Sequence, residues 1–430
     1  MADMHVVFLQ GLPSTFFRRV GKILSARGCA VTGINLCVGD QLFWRGANTV
    51  NYRGRPADWP AFISNFFNQN AVTDIVLVGE QRSYHQAAIA AAKLRNIRVT
   101  VTDFGYLRPD WMVFERNGMG GDSLFPKDPQ AILALAAAGP EPDLTQRYTD
   151  SFWTMAWGDI LYHLANFFYF WLFPFYRRPY KRNHPLVHYF SIGRRLLLAN
   201  RRRQHADQKL AQLIANKQHY FLFPLQLEND FQIVSYSPFT SLEQAIWLVL
   251  ESFALYAQSD SRLVVKVHPL DPGLKNWQRL IFERGVKLGI ADRIVYFDGG
   301  DLDAMLRTSA GVVTVNSTVG IRALQFGCKV KALGDAIYDV AGLTFQDGLD
   351  AFWQQAKPPA PELVKAFINA VCNTLQIRGV FYSESGLSAA TAEAAERLFN
   401  KTVGVLPHNS QATSSLDQRA SSLATRSSSN

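Results

Sequence analysis

The chain has 430 residues, 48% of them hydrophobic and 18% charged, a globular composition with apolar material for two cores rather than one. Its formal net charge is +9, and nine cations lie between Asp159 and Asp207, a stretch without an acidic residue. The basic character therefore belongs to one face, which points to a partner anionic at one face; nucleic acid is not expected as a partner. Cys29, Cys37, Cys328 and Cys372 show no CxxC spacing and no Cys/His cluster, so they are expected as reduced core thiols.

The first residues, MADMHVVFLQG, lack a basic n-region and a long apolar h-region, so no signal peptide is expected and the expected compartment is the cytoplasm. His5 to Leu9 is a short apolar run before Gly11, a strand followed by a turn. A helix from Ser14 to Ala26 is stopped by Gly28, and Ala30 to Cys37 reads as a strand. A Phe-rich helix over Trp59 to Phe67, a strand over Asp74 to Val78, a helix over Gln86 to Leu94 and a strand over Arg98 to Asp103 follow. This alternation predicts an α/β domain over residues 1–150, with a parallel sheet covered on both faces.

Residues 151–212 break the pattern. Trp153, Trp157 and the run Phe167 to Trp171 precede Arg177, Arg178, Lys181, Arg182, Arg194, Arg195, Arg201, Arg202 and Arg203. The apolar part is interrupted by His163, Asn166 and Pro174, short of the roughly 20 unbroken apolar residues that span a bilayer. A helical insertion lying on a membrane surface is predicted, with aromatics at the headgroup level and each cation adding about 1 kcal/mol on an anionic surface. A buried helical insertion with a solvated basic face is the other reading.

A second α/β domain is predicted over residues 213–350. Its strands are Tyr220 to Pro224, Arg262 to Val267, Ile294 to Phe297, Val312 to Val315 and Lys329 to Leu333, with an amphipathic helix from Leu242 to Tyr256 capped by Thr240 or Ser241. C-terminal helices over 351–406 are expected to pack back across the domains. Residues 407–430, dominated by Ser, Thr, Ala, Asn and Gln, are expected to be disordered.

Three strand ends in the second domain carry polar groups where open parallel sheets bind ligands. Gln226, Glu228 and Asp230 follow the first, and two carboxylates so close can act as nucleophile and acid/base in glycosyl transfer with retention. Lys266, His268 and Asp271 lie at the second, where an ammonium and an imidazole suit a phosphate leaving group. Asn316, Ser317 and Thr318 end the third, just before a helix whose first N–H groups can hold phosphate. Plain acidic-loop, capping and core roles are the bland alternatives. The Asp301-Leu302-Asp303 pattern reads as an N-cap and first-turn acid rather than as metal ligands. There is no GxxxxGK[ST] and no GxGxxG at a strand end, which removes support from kinase, P-loop and dehydrogenase readings.

These segments resemble the bacterial capsule polysaccharide synthesis proteins of the KpsS/LipB type, which are β-Kdo transferases. The resemblance covers roughly residues 4–345 and is carried by VVFLQGLPSTFFRRVGKIL, DFGYLRPDW, FPLQLENDFQI, KVHPLD and VNSTVGIRALQFGCKVKALGDAIYDVAGLT. It implies a GT-B-like fold, two Rossmann-type domains facing a cleft, with the helical aromatic and basic insertion between them. It implies transfer of Kdo with retention from CMP-β-Kdo to a lysophosphatidylglycerol-type lipid, on the inner face of the inner membrane, in a possible capsule synthesis and export complex. By this resemblance Asp230 is the nucleophile, Glu228 its acid/base or orienting neighbour, and Gln226 a donor contact. His268, with Pro269, lies at the CMP phosphate, and Asn316, Ser317 and Thr318 cradle CMP. Gln10, Gly11, Tyr106 and Arg108 face the acceptor. Where related members have Glu ahead of GYLRP, this chain has Asp103-Phe104 before Gly105, which leaves that carboxylate's role open. CMP leaves as a monophosphate, so no metal cofactor is expected.

Two rival readings remain at this point: a transferase using another CMP-ulosonic acid or acceptor, and a non-catalytic capsule-export scaffold. CMP binding separates the enzymes from the scaffold, and product linkage separates the two enzymes.

Overall fold

The computed structural model describes residues 4–46, 48–178, 191, 193, 195, 198–228 and 230–405. They fall into two units. One holds residues 4–126, 131–178 and 368–405, and the other holds 127–130 and the described part of 191–367.

In the first unit the apolar runs become strands. β1 (His5–Leu9), β2 (Ala30–Asn35), β3 (Thr49–Asn51), β4 (Asp74–Val78) and β5 (Arg98–Phe104) are parallel in the order 3-2-1-4-5. β6 (Trp111–Arg116) adds antiparallel to β5, with Thr102 opposite Phe114. Helices α1 (Phe16–Ala26), α2 (Val38–Trp44), α3 (Trp59–Gln69), α4 (Ser83–Lys93), α5 (Pro129–Ala138) and α6 (Phe152–Phe168) interleave or follow. α1 buries Phe16, Phe17, Val20 and Leu24, one helical stripe, against Phe8, Val31 and Val76 of the sheet.

Helix α6 begins at Ser151, whose hydroxyl accepts from the Thr154 N–H. It lies on α2, and the approach is close: a Cβ added to Gly39 would stand 2.4 Å from the Tyr162 ring. Asn166 of α6 accepts from the Gly39 N–H at 2.9 Å. The aromatic half of the expected insertion is thus an integral wall of the first unit.

The second unit is a five-stranded parallel sheet in the order 11-10-7-8-9. Its strands are β7 (Tyr220–Pro224), β8 (Arg262–Lys266), β9 (Ile294–Phe297), β10 (Gly311–Thr314) and β11 (Val330–Ala332). Its helices are α7 (Ala199–Ala215), α8 (Phe231–Ser235), α9 (Leu242–Tyr256), α10 (Trp277–Lys287), α11 (Leu302–Thr308), α12 (Val319–Gln325) and α13 (Leu349–Gln355). The central strands are buried on both faces, as continuous apolar runs such as YFLFP require. Phe221, Phe253 and Trp353 pack edge to face in the core on one side.

The division differs from the one read in the sequence. The expected insertion 151–212 is shared, its aromatic part in the first unit and α7 in the second. The expected C-terminal helical segment is shared too. In α14 (Pro361–Thr374) the chain passes from the second unit to the first, where β12 (Gln376–Arg378) pairs antiparallel with β6 and α15 (Glu384–Phe399) lies on α1. The physical reason is an open sheet edge: β6 has unpaired backbone until β12 covers it. The four cysteines are buried and free, as expected. The expected disordered tail, 407–430, lies outside the described residues.

Candidate functional site

In the second unit the chain runs from β7 outward through β8 and β9, then returns to place β10 and β11 on the other side of β7. Strand order therefore reverses between β7 and β10, and the crevice at their carboxyl ends is where such sheets take ligands. Gln226 leaves β7 and Asn316 leaves β10 at this point. They are joined twice: Gln226 Nε2 donates to Asn316 Oδ1 at 3.0 Å, and the Asn316 N–H donates to Gln226 Oε1 at 3.2 Å. Asn316 Nδ2 donates onward to the Gln232 and Tyr236 carbonyls, fixing the turn that carries α8. Asn316 is thus a tie between two strand ends.

Asp230 is the N-cap of α8. Its Oδ1 accepts from the Gln232 N–H at 3.0 Å, and its Oδ2 lies 3.4 Å from Gln226 Nε2. The carboxylate is held at the reversal point by backbone and by Gln226. Glu228 is directed elsewhere: Lys275 joins it at 2.8 Å and Glu243 at 2.7 Å, and the same ammonium sits over the Trp277 ring. Burial works against the Lys275 charge, but the two carboxylates outweigh it and hold its pKa above the ordinary value.

His268 follows β8 and is half-buried. Its Nδ1 accepts from the Leu270 N–H at 3.1 Å, which puts the proton of the neutral ring on Nε2. Lys266 is only 6% exposed, and burial lowers its pKa against the pull of Asp298 and Asp301. Asp271 braces the same turn, accepting from the Gly273 N–H and from Trp277 Nε1.

At the start of α12 the Ser317 hydroxyl accepts from the Val319 N–H, while the Thr318 side chain makes no capping bond. Gly320 is required here: a Cβ would stand 2.4 Å from the buried Tyr338 ring, whose hydroxyl donates to the Ser317 carbonyl at 2.7 Å. Asp301 caps α11 through the Asp303 and Ala304 N–H groups, and Asp303 pairs with Arg322, the structural roles expected for that pattern.

The first unit has its own reversal point, between β1 and β4. Gln10 leaves β1 there with a left-handed φ of 40° and is 3% exposed. A Cβ added to Gly11 would stand 3.1 Å from the Phe17 ring. Gln10 Nε2 approaches Asp40 Oδ2 at 3.4 Å, and Asp40 also accepts from the Leu36 N–H at 3.0 Å and from the Tyr162 hydroxyl at 2.9 Å. Burial pushes the Asp40 carboxyl above its ordinary range, although these hydrogen bonds favour the charged form. Gln10, Gly11, Phe17, Asp40 and Tyr162 line a shallow, open pocket. Asp40 and Tyr162 were not singled out in the sequence; the signal available was an Asp in the first turn of the segment that follows β2.

Tyr106 is buried, and its hydroxyl donates to Glu115 at 2.5 Å and accepts from the Gly120 N–H. Ser123 donates to the other Glu115 oxygen, and burial raises the Glu115 pKa to about 8. Arg108 is exposed, donates to the Gly105 carbonyl and lies over the Phe104 ring. Tyr106 therefore stands inside the first unit's packing and Arg108 at its surface.

On α6, Trp153, Trp157, Leu161, Phe167 and Phe168 are exposed, and Tyr169, Phe170 and Trp171 continue the strip. Arg177 and Arg178 follow, exposed. Arg201 and Arg203 are exposed on α7. Arg195 and Arg202 depart from the surface reading, because both guanidinium groups pair with Asp298 beyond β9, at 2.6 and 2.8 Å. Lys181, Arg182 and Arg194 lie outside the described residues. Among the described residues no helix is long and apolar enough to cross a membrane.

A family model described as capsule polysaccharide biosynthesis protein matches residues 73–382. The capsule polysaccharide export protein KpsS of Escherichia coli is 30% identical over 393 residues, covering 89% of this chain and 98% of that protein. The capsule polysaccharide modification protein LipB of Neisseria meningitidis serogroup A is 30% identical over 388 residues, covering 88% and 92%. Among solved structures, the β-Kdo 2,7-transferase KpsC of Thermosulfurimonas dismutans aligns over 93% of this chain and 100% of its own, with 12% identity and a TM-score of 0.44.

Proposed function

The chain belongs to the capsule polysaccharide biosynthesis protein family, and from that premise we propose that it is a retaining glycosyltransferase carrying β-Kdo from CMP-β-Kdo to a lysophosphatidylglycerol-type lipid. The observation that supports this reading most is the Gln226–Asn316 tie at the reversal of the second sheet, with the Asp230 carboxylate held beside it.

In the reaction, Asp230 Oδ2 forms a bond to the anomeric carbon of Kdo. The bond to CMP breaks, and its electron pair stays on the phosphate oxygen. That phosphate accepts a hydrogen bond from His268 Nε2–H and is countered by the Lys266 ammonium. The acceptor hydroxyl then displaces Asp230, losing its proton to a base, and two inversions give retention. Glu228, committed to Lys275, orients the loop and is not the base. The leaving group is a monophosphate, so no metal enters the scheme.

The aromatic strip of α6, with Arg177 and Arg178, supports peripheral binding to the anionic inner face of the inner membrane. A calorimetric titration with CMP tests the donor reading. Wild-type protein is expected to bind saturably, and Asn316→Ala to bind at least about 10-fold more weakly, a loss of about 1.4 kcal/mol. Absence of CMP binding by the wild type sinks the enzyme reading and favours an export scaffold.

A further inference from the structure

Asp298 follows β9, and the two residues after it, Gly299 and Gly300, bring no side chain to the loop. Each oxygen of its carboxylate accepts from one guanidinium, Oδ1 from Arg195 at 2.6 Å and Oδ2 from Arg202 at 2.8 Å. Arg202 also donates to the Arg195 carbonyl at 3.0 Å, so the two arginines brace each other. The same segment is seated on the loop after β8. The Ser191 hydroxyl donates to the Pro272 carbonyl at 2.6 Å, and a Cβ added to Gly273 would stand 2.7 Å from Arg195 Nη1. That loop is the one that carries His268.

As a stabilising device the cluster is poor. Two guanidinium groups meet one carboxylate, and Arg202 Nε is buried without a hydrogen-bond partner. Partly exposed ion pairs add little to stability, and an unsatisfied buried donor costs. What the cluster provides is a carboxylate fixed in one orientation. The Asp298 side chain is 31% exposed, and each oxygen, having accepted one bond, has a lone pair left.

Its place decides what it accepts from. In the proposed reaction the sugar meets Asp230 after β7, and the phosphate meets His268 after β8. The strands lie side by side in the order β7, β8, β9. The phosphate bridges sugar and nucleoside, so the nucleoside extends away from Asp230, toward the loop after β9. The hydroxyl donors on a nucleoside are those of the ribose diol. Dinucleotide-binding sheets read the same sugar with an acid downstream of a strand end.

We infer that Asp298 accepts from the ribose hydroxyls of the donor nucleotide and that Arg195 and Arg202 are positioning residues that hold it. This rests on the reading of the second unit as a cytidine-nucleotide site. It takes two arginines of the basic stretch from the membrane to the donor.

The test is calorimetric titration of the full-length protein with CMP and with 2′,3′-dideoxy-CMP, which keeps the base and the phosphate. The wild type is expected to bind CMP at least about 10-fold more tightly than the dideoxy nucleotide. In Asp298→Asn that ratio is expected to fall to within about 2-fold, with dideoxy-CMP bound as in the wild type, which shows that the variant is folded. Arg195→Gln is expected to lower the ratio and Arg195→Lys to restore part of it, so the inference is also tested without touching Asp298. An unchanged ratio in Asp298→Asn and Arg195→Gln overturns the inference. So does an equal loss of both nucleotides, the mark of a merely structural tie. A wild type that binds CMP and dideoxy-CMP equally overturns the inference alone, and one that binds neither overturns the donor reading with it.

Discussion

Replacing Asp230 separates two roles that the geometry gives one side chain. As the N-cap of α8 it accepts from the Gln232 N–H at 3.0 Å, and in the proposed chemistry its other oxygen is the nucleophile. Alanine removes both roles, whereas asparagine keeps a capping oxygen and removes the nucleophile. Loss of a cap costs about 1 kcal/mol, with a range of about 0.5–2. The contact with Gln226 at 3.4 Å is long and adds little. For a unit of this size about 1 kcal/mol corresponds to roughly 2–4 °C in melting temperature. Differential scanning calorimetry is expected to show Asp230→Ala melting lower by about that much and Asp230→Asn within about 1 °C of the wild type. Both variants are expected to lose transfer at least about 10³-fold, the scale of removing a covalent nucleophile. An asparagine variant that transfers at a substantial fraction of the wild-type rate refutes the nucleophile assignment. One that melts as low as alanine refutes the capping account.

Gly320→Ala places a Cβ against the fully packed Tyr338 ring and is expected to cost about 1–3 kcal/mol in urea unfolding, together with weaker CMP binding as the Ser317 carbonyl shifts. The Glu115 carboxyl titrates near 8 in the fold against an ordinary value of 4.5, so it is neutral in the folded state while the unfolded chain ionises. Its contribution is fully present below about pH 4.5 and is lost as pH rises toward 8, a change on the order of a few kcal/mol. Unfolding of Glu115→Gln measured across that window is expected to lack this decline, and a parallel decline in the variant contradicts the assignment. Replacing Trp153, Trp157 and Phe168 by serine is expected to reduce co-sedimentation with phosphatidylglycerol vesicles at least about 10-fold, since each large apolar side chain contributes up to about 1.5–3 kcal/mol on full burial. Unchanged sedimentation removes α6 from the membrane contact.

The strands that the sequence made legible are those buried on both faces. HVVFL, DIVLV and YFLFP are mostly apolar segments, and each strand covers the residues read from its segment. β3 and β12, three residues each, carry too little pattern to be seen, and the seven-residue α2, starting directly after the strand read to Cys37, is too short to show a helical period. The site was legible as single strand ends but not as pairs. Gln226 and Asn316 are 90 residues apart, and only the strand order brings them together. Asp40 depends on Tyr162, 122 residues later, and a lone Asp in a seven-residue helix signals nothing by itself. The arginine run was read from local composition. A single distant carboxylate, Asp298, draws Arg195 and Arg202 away from that reading.

The central claim is sugar transfer with retention through Asp230. The most direct measurement incubates purified protein with CMP-Kdo, generated in place, and a fluorescent lysophosphatidylglycerol, follows the lipid by LC–MS, and assigns the new linkage by NMR. The account predicts a gain of one Kdo unit in β configuration, absent with Asp230→Asn. A product of α configuration, or a β product that forms equally well with the Asp230→Asn variant, contradicts it.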